Sequence, residues 1–204
     1  GGDDARLAEH LGTALPEMEK ALTRIRAGSR QMDTLLKGLL KLSRSGRAAL
    51  TIATLDMDGL LQRVVFTLSF QAREAGATIT VEALPPCRGD EVQLGQVFTN
   101  LIGNALKYLD PHRPGSVRIT GTVEGAASVY CVADNGIGID PRHQEKIFEL
   151  FHRLDPAHSE GEGLGLTIVR QILQRLDGRI HVASTPGEGS CFYVTLPRAR
   201  TGAE

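Results

Sequence analysis

The stretch Asn100-Leu101-Ile102-Gly103-Asn104-Ala105-Leu106-Lys107-Tyr108 reads as a helix that carries chemistry on one side. Residues 100, 104, 107 and 108 recur at i, i+3 and i+4 spacing, so two carboxamides, an ammonium and a phenol converge on one patch. Amide oxygens are hard ligands that complete a Mg²⁺ shell while adding little charge, and a lysine beside them meets phosphate oxygens. A solvated polar face is the alternative reading of the same pattern.

Outward from this helix the pattern is mixed. Asp90 is an N-cap for it, and the helix is predicted to run to about Leu109. Upstream, Thr51–Leu55 and Thr78–Leu84 read as short strands around an amphipathic helix near Asp58–Ala75. Downstream, Ser116–Glu124 and Ala127–Ala133 are β-rich and separated by Gly125, which predicts a hairpin or adjacent strands. Pro141–Leu150 and Gly165–Leu176 are predicted helical, with Gly178 as the C-terminal stop of the second. Arg179–Ser184 and Ser190–Leu196 form a last strand pair around the turn Pro186-Gly187-Glu188-Gly189. A sheet covered by helices follows, an α+β sandwich.

Two glycine-rich segments complete the chemistry. Asp134-Asn135-Gly136-Ile137-Gly138 follows a strand; its glycines allow close backbone approach to a ligand, and the aspartate can accept a hydrogen bond from an exocyclic amine. An Asn-Gly β-turn is the competing reading. Gly161-Glu162-Gly163-Leu164-Gly165-Leu166 opens a helix and so presents free N–H groups and a positive dipole end to an anion such as phosphate. It is neither a Walker loop nor a dinucleotide fingerprint, and a flexible linker is its alternative.

Residues 1–46 differ in character. Met18, Leu22, Ile25, Ser29, Met32, Leu36 and Leu39 alternate four and three apart, the seam of a coiled coil or four-helix bundle. Pro16 suits the first turn, and residues 16–44 would make a rod of about 40 Å. Ala5–Leu11, turned back through Gly12-Thr13-Ala14, is too short to cover such a rod. The segment therefore reads as an incomplete helical hairpin, completed by dimerisation or by missing sequence, with Gly1-Gly2 as a remnant of an engineered start.

Composition excludes several classes. The 204 residues are 41% hydrophobic and 23% charged, the signature of a packed globular chain. Lys and Arg number 23 against 24 Asp and Glu, a net charge of -1, which is no footprint for nucleic acid or an anionic membrane. No apolar run approaches the ~20 residues of a membrane span and no signal peptide opens the chain. Cys87, Cys131 and Cys191 form neither a disulfide framework nor a zinc site, which points to a reducing cytoplasm, with a membrane anchor elsewhere in a full-length protein left open. His112, His143, His152, His158 and His181 lack metal-ligand spacing.

In this order, the three motifs resemble the catalytic and ATP-binding domain of sensor histidine kinases, in the Bergerat-type (GHKL) ATPase superfamily. Asn100–Tyr108 matches the family's N box, Asp134–Gly138 its first glycine box, Ile147–Phe151 its F box and Gly161–Leu166 its second glycine box. Gly187–Phe192 matches the closing strand turn. The resemblance implies a Bergerat-type domain over 47–199, preceded over 1–46 by part of the dimerisation and phosphotransfer hairpin. It implies ATP and Mg²⁺ as ligands, with Asn104 as metal ligand assisted by Asn100, Lys107 near the phosphates, and these three as the catalytic set. Tyr108 is expected near sugar and base, Asp134 at the adenine amine, Gly136 and Gly138 around the adenine pocket, and Gly163 and Gly165 against the phosphates. Phe151, Gly161, Leu164 and Leu166 complete the nucleotide contacts. Asp140–Glu160 would be a mobile lid tethered by Phe148 and Phe151. The implied partners are a second copy and a response-regulator receiver domain.

Two departures accompany the match. No histidine stands in an H box: His10 has no acidic neighbour and its proline comes six positions on, so autophosphorylation is not expected. Glu162 replaces a common threonine and brings a carboxylate near the triphosphate. Gyrase, chaperone and mismatch-repair ATPases of the superfamily carry glutamate where Asn100 stands, and an amide cannot act as that general base. A catalytically silent nucleotide-binding scaffold stays open as the alternative.

Overall fold

The computed structural model describes Met18, Leu22, Thr23, Ile25, Arg26, Gly28 and Ser29, residues 49–150 and residues 164–199. The chain divides into two units, Gly1–Arg44 and Ser45–Glu204. In the first, the described residues are helical, and Met18, Leu22 and Ile25 are 60%, 51% and 67% exposed. The remaining seam positions Met32, Leu36 and Leu39, and His10, lie outside the described residues.

The second unit is an α+β layer pair. Its strands are β1 (Ala53–Leu55), β2 (Ala77–Val81), β3 (Cys87–Gly89), β4 (Gly115–Glu124), β5 (Ala127–Asp134), β6 (Arg179–Thr185) and β7 (Gly189–Pro197). Its helices are α1 (Met57–Glu74), α2 (Glu91–Lys107) and α3 (Gly165–Arg175). Five strands form one sheet in the order β2-β4-β5-β7-β6, parallel between β2 and β4 and antiparallel elsewhere, while β1 and β3 pair separately.

Alternation decides which face is covered. Along β5, Ser128, Tyr130 and Val132 are buried while Val129 and Cys131 are half-buried on the opposite face, the period of a half-covered strand. Leu101, Ile102 and Phe98 of α2 are fully buried, each worth roughly 1.5–3 kcal/mol of apolar burial. Phe98 meets the Tyr130 ring edge-on at 5.8 Å, and the Tyr130 hydroxyl donates to the Pro85 carbonyl at 2.6 Å. Desolvation raises the Tyr130 phenol and pushes the neighbouring Cys87 thiol up to about 11, so both stay neutral. On the other face His181 stacks on Tyr193 at 4.7 Å, and burial with the adjacent Cys191 pushes the Cys131 thiol up to about 12.

The start of α2 is fixed by Asp90, whose carboxylate accepts from Gln93 N at 3.0 Å and from Thr51 N at 2.8 Å. One side chain thus caps the helix and anchors the strand that precedes α1, which is why β1 begins at Ala53 and not at Thr51. Among the described residues no helix is long and apolar enough to cross a membrane.

Three local expectations are corrected, and one strand comes in addition. Pro141–Leu150 is not an α-helix but two 3₁₀ turns, Pro141–His143 and Lys146–Phe148. Tertiary bonds override the helical pattern there: Gln144 Nε2 donates to the carbonyls of Ile139 (3.1 Å) and Ser184 (2.7 Å), and Ile147 and Phe148 are pulled into the core. β2 ends at Val81 because Leu84 N turns to Asp58 Oδ1 at 3.0 Å. The left-handed residue that stops α3 is Asp177 (φ 54°), with Gly178 N closing back on Leu173 O at 2.8 Å. Gly178 is required instead by packing, since a Cβ there would stand 2.7 Å from the Thr195 carbonyl oxygen. Strand β3 carried no signal, being three residues after Pro85-Pro86.

Candidate functional site

The last turns of α2 place Asn100, Asn104, Lys107 and Tyr108 along one stripe, while Leu101, Ile102, Ala105 and Leu106 of the same helix are buried. Asn100 and Asn104 are half-buried and Lys107 is exposed, the gradient of a wall that faces a ligand and not the core. Asn100 Nδ2 is buried with no hydrogen-bond partner among the described residues. A buried amide donor left unpaired costs roughly 1–3 kcal/mol, so its retention needs a reason beyond stability. Lys107 Nζ lies 5.1 Å above the Tyr108 ring, a contact that keeps the ammonium beside the phenol.

Two further segments meet this stripe. The Cβ that Gly165 lacks would stand 3.5 Å from Asn100 Oδ1, so the first turn of α3 runs against the first asparagine. At the other end the Tyr108 carbonyl accepts from Ile137 N at 3.0 Å, joining the end of α2 to the Asp134–Gly138 segment. A Cβ on Gly136 would collide with that carbonyl oxygen, and one on Gly138 (φ 70°) with the carbonyl of Thr185. Both positions therefore require glycine.

Asp134–Gly138 is not a hairpin turn, because β5 and β6 on either side of it are not neighbours in the sheet. Asn135 is stapled to the start of β4: its Nδ2 donates to Pro114 O at 2.9 Å and its Oδ1 accepts from Ser116 N at 2.8 Å. Gly136 N donates to Asp134 Oδ1 at 2.9 Å. Desolvation raises the Asp134 carboxyl above the ordinary carboxylate range, against the main-chain N–H groups of Gly136 and Ser190 and the Arg113 guanidinium, which favour its charged form.

The lower border is a network that sequence reading missed. Ile139 N donates to Ser184 Oγ at 2.8 Å, and Ser184 Oγ reaches Gly189 O at 2.7 Å and Ser190 Oγ at 3.0 Å. Thr167 Oγ1 of α3 donates to the carbonyls of Phe148 and Glu149, both at 3.2 Å, tying the 3₁₀ turns to that helix. Isolated Ser and Thr in strands and helices give no sequence signal of such links. The structure thus sets Gly165 against Asn100 at one end of the stripe and Gly136 against Tyr108 at the other, with Leu164 buried and Leu166 half-buried. Phe151, Gly161, Gly163 and Glu162 lie outside the described residues.

The donor set is selective in what it could hold. Among the described residues no group of three or more His, Cys, Asp or Glu could bind a metal. Two carboxamides one helical turn apart suit a hard cation that keeps waters and takes its other ligands from phosphate, as Mg²⁺ does, and Lys107 supplies the complementary charge.

A family model described as histidine kinase-, DNA gyrase B-, and HSP90-like ATPase matches residues 89–200. The chain is 40% identical over 186 residues to cyanobacterial phytochrome B of Nostoc sp., covering 89% of this chain and 24% of that protein. To the methanogenesis regulatory histidine kinase FilI of Methanothrix harundinacea it is 37% identical over 168 residues, 82% of this chain and 19% of that protein. The crystal structure of full-length ShkA in complex with AMPPNP superposes with a TM-score of 0.72 at 32% identity, over 92% of this chain and 40% of that one. The chain thus spans about a quarter or less of the length of these two curated relatives.

Proposed function

The chain belongs to the histidine kinase-, DNA gyrase B-, and HSP90-like ATPase family, and within it to the sensor histidine kinases; from that premise we propose that it binds ATP with Mg²⁺ and transfers the γ-phosphoryl group to a histidine for relay to a response-regulator aspartate. The observation that carries this reading is the convergence of the asparagine stripe of α2, the Asp134–Gly138 turn and the start of α3.

In this reading Asn104, with Asn100, holds Mg²⁺, which when bound neutralises charge on the phosphate oxygens. Lys107 adds its ammonium to those oxygens, Tyr108 lies along sugar and base, and Asp134 accepts the adenine amine beside Gly136 and Gly138. Leu164, Gly165 and Leu166, with Gly161 and Gly163, offer main-chain N–H groups to the phosphates, and Phe151 flanks the nucleotide. Phosphoryl transfer depends chiefly on positioning and charge neutralisation. A neutral imidazole has a lone pair ready for the phosphorus and needs no carboxylate base, which agrees with Asn100 in place of the glutamate of hydrolytic relatives. Because no histidine here stands in an H box, the acceptor is proposed to lie outside these 204 residues. A silent nucleotide-binding scaffold is the second reading, favoured by Glu162, whose carboxylate would repel a triphosphate.

Titration calorimetry with Mg·ATP tests the first step: binding is expected, and none at millimolar nucleotide contradicts it. Transfer of labelled phosphoryl to a histidine-bearing hairpin of a related kinase separates the kinase from the scaffold.

Assembly is proposed to run through 1–46 as a homodimer, in a cytoplasmic setting, with a receiver domain as phosphoryl acceptor. The exposed apolar positions Met18, Leu22 and Ile25 support it, since a long apolar stripe is rarely left in water. Leu22→Glu with Ile25→Glu is expected to yield monomers by sedimentation with nucleotide affinity unchanged. A monomeric unmutated chain at high micromolar concentration refutes the dimer.

A further inference from the structure

Arg113, in the loop between α2 and β4, belongs to none of the motifs, yet three segments meet on it. Its Nη2 donates to the main-chain carbonyls of Gly136 (2.8 Å) and Gly187 (2.6 Å), and lies 3.5 Å from Asp110 Oδ2. Its Nε is buried without a partner among the described residues, so the guanidinium is held by one edge. Gly187 N in turn donates to Ile137 O at 2.8 Å, while Ile137 N donates to Tyr108 O at 3.0 Å. The Asp134–Gly138 segment is therefore gripped between the end of α2 and the β6–β7 turn, with the guanidinium closing the grip.

Gly136 is the centre of this arrangement. Its N–H donates to Asp134 Oδ1 at 2.9 Å and its carbonyl accepts from Arg113, so one residue fixes how the carboxylate is presented and the other fixes that residue. We propose that Arg113 is a specificity-determining positioning residue for the purine base. By joining the Gly136 and Gly187 carbonyls on one nitrogen it holds the Asp134 carboxylate where the exocyclic amine of adenine is accepted and the 6-oxo group of guanine is refused. This rests on the reading that Asp134 meets adenine. Arg113 touches no base; it acts through Gly136. A lysine could offer one nitrogen to both carbonyls, but it carries that nitrogen on a flexible stem and lacks the planar guanidinium that fixes its position here.

The test compares the unmutated chain with Arg113→Met and Arg113→Lys, each titrated with Mg·ATP and Mg·GTP. The unmutated chain is expected to prefer ATP by at least about tenfold, the value of a hydrogen bond to a charged group. Arg113→Met is expected to lose about that factor for ATP while GTP changes little, so the ratio collapses toward one, with Arg113→Lys between. A merely structural role lowers both affinities in step and leaves the ratio unchanged, and that result overturns the proposal. Should Arg113→Met fail to fold, the ratio in Arg113→Lys decides by the same rule. An unmutated chain that binds neither nucleotide, or both equally, removes the Asp134 reading itself and the role of Arg113 with it.

Discussion

Asp134→Asn is expected to weaken ATP about 10-fold to 100-fold, because a hydrogen bond to a charged acceptor is worth roughly 1.5–3 kcal/mol. The same variant is expected to fold at least as stably as the unmutated chain at neutral pH. The sign follows from the raised carboxyl of Asp134. A carboxyl whose folded pKa exceeds its unfolded value binds its proton more tightly in the native state, so it favours folding in acid. That contribution is lost as pH rises through the raised value. Above that value the carboxylate is a desolvated charge, which an isosteric amide relieves. Acid should also weaken ATP in the unmutated chain as Asp134 takes up its proton, a decline that Asp134→Asn does not show. Calorimetry across pH with parallel thermal unfolding measures both; a variant that loses stability and keeps its affinity reverses the assignment.

Gly138→Ala is expected to cost at least about 3 kcal/mol, since it combines a positive φ with a collision against main chain. The dihedral is 70°, and the obstructing atom is the Thr185 carbonyl oxygen, held at the end of β6 next to Ser184. At about 2–4 °C per kcal/mol this lowers the melting temperature by roughly 6–12 °C. Gly187→Ala is the control. Its φ of 82° is as strained, but nothing lies within 4 Å of the new Cβ. Its loss should stay near the roughly 1–2 kcal/mol of a left-handed residue. Equal losses in the two variants would show that close approach contributes nothing at Gly138.

The parts of this molecule that could be read from sequence are those written as local pattern. The 3.6-residue period of α2 and the two-residue period of β4 and β5 survive into the structure with shifts of one or two residues at their ends. Asp90 works as the expected cap because its chemistry is local. The helical reading of Pro141–Leu150 failed for the opposite reason: Gln144 and Phe148 are committed to partners 40 and 19 residues away, at Ser184 and Thr167, which no local period records. Strand β3 exists because Cys87, Arg88 and Gly89 face Leu55, Thr54 and Ala53, a pairing that three residues cannot announce by themselves.

The site divides the same way. Asn100, Asn104 and Lys107 were legible because one helix carries all three, and the two glycine segments because their composition is unusual. Arg113, Asn135 and Ser184 were not. Their roles lie in hydrogen bonds to backbone of other segments, as in the reach of Arg113 to Gly187, and side chains of these types are common in loops for many reasons.

Amide-resolved NMR of the chain titrated with Mg²⁺ and a non-hydrolysable ATP analogue tests the central claim most directly. The account predicts that the N–H signals of Gly136 and Ile137, of residues 100–108 and of the first turn of α3 shift together at one saturating stoichiometry. Shifts that are absent, or that fall elsewhere while these three segments stay fixed, contradict it.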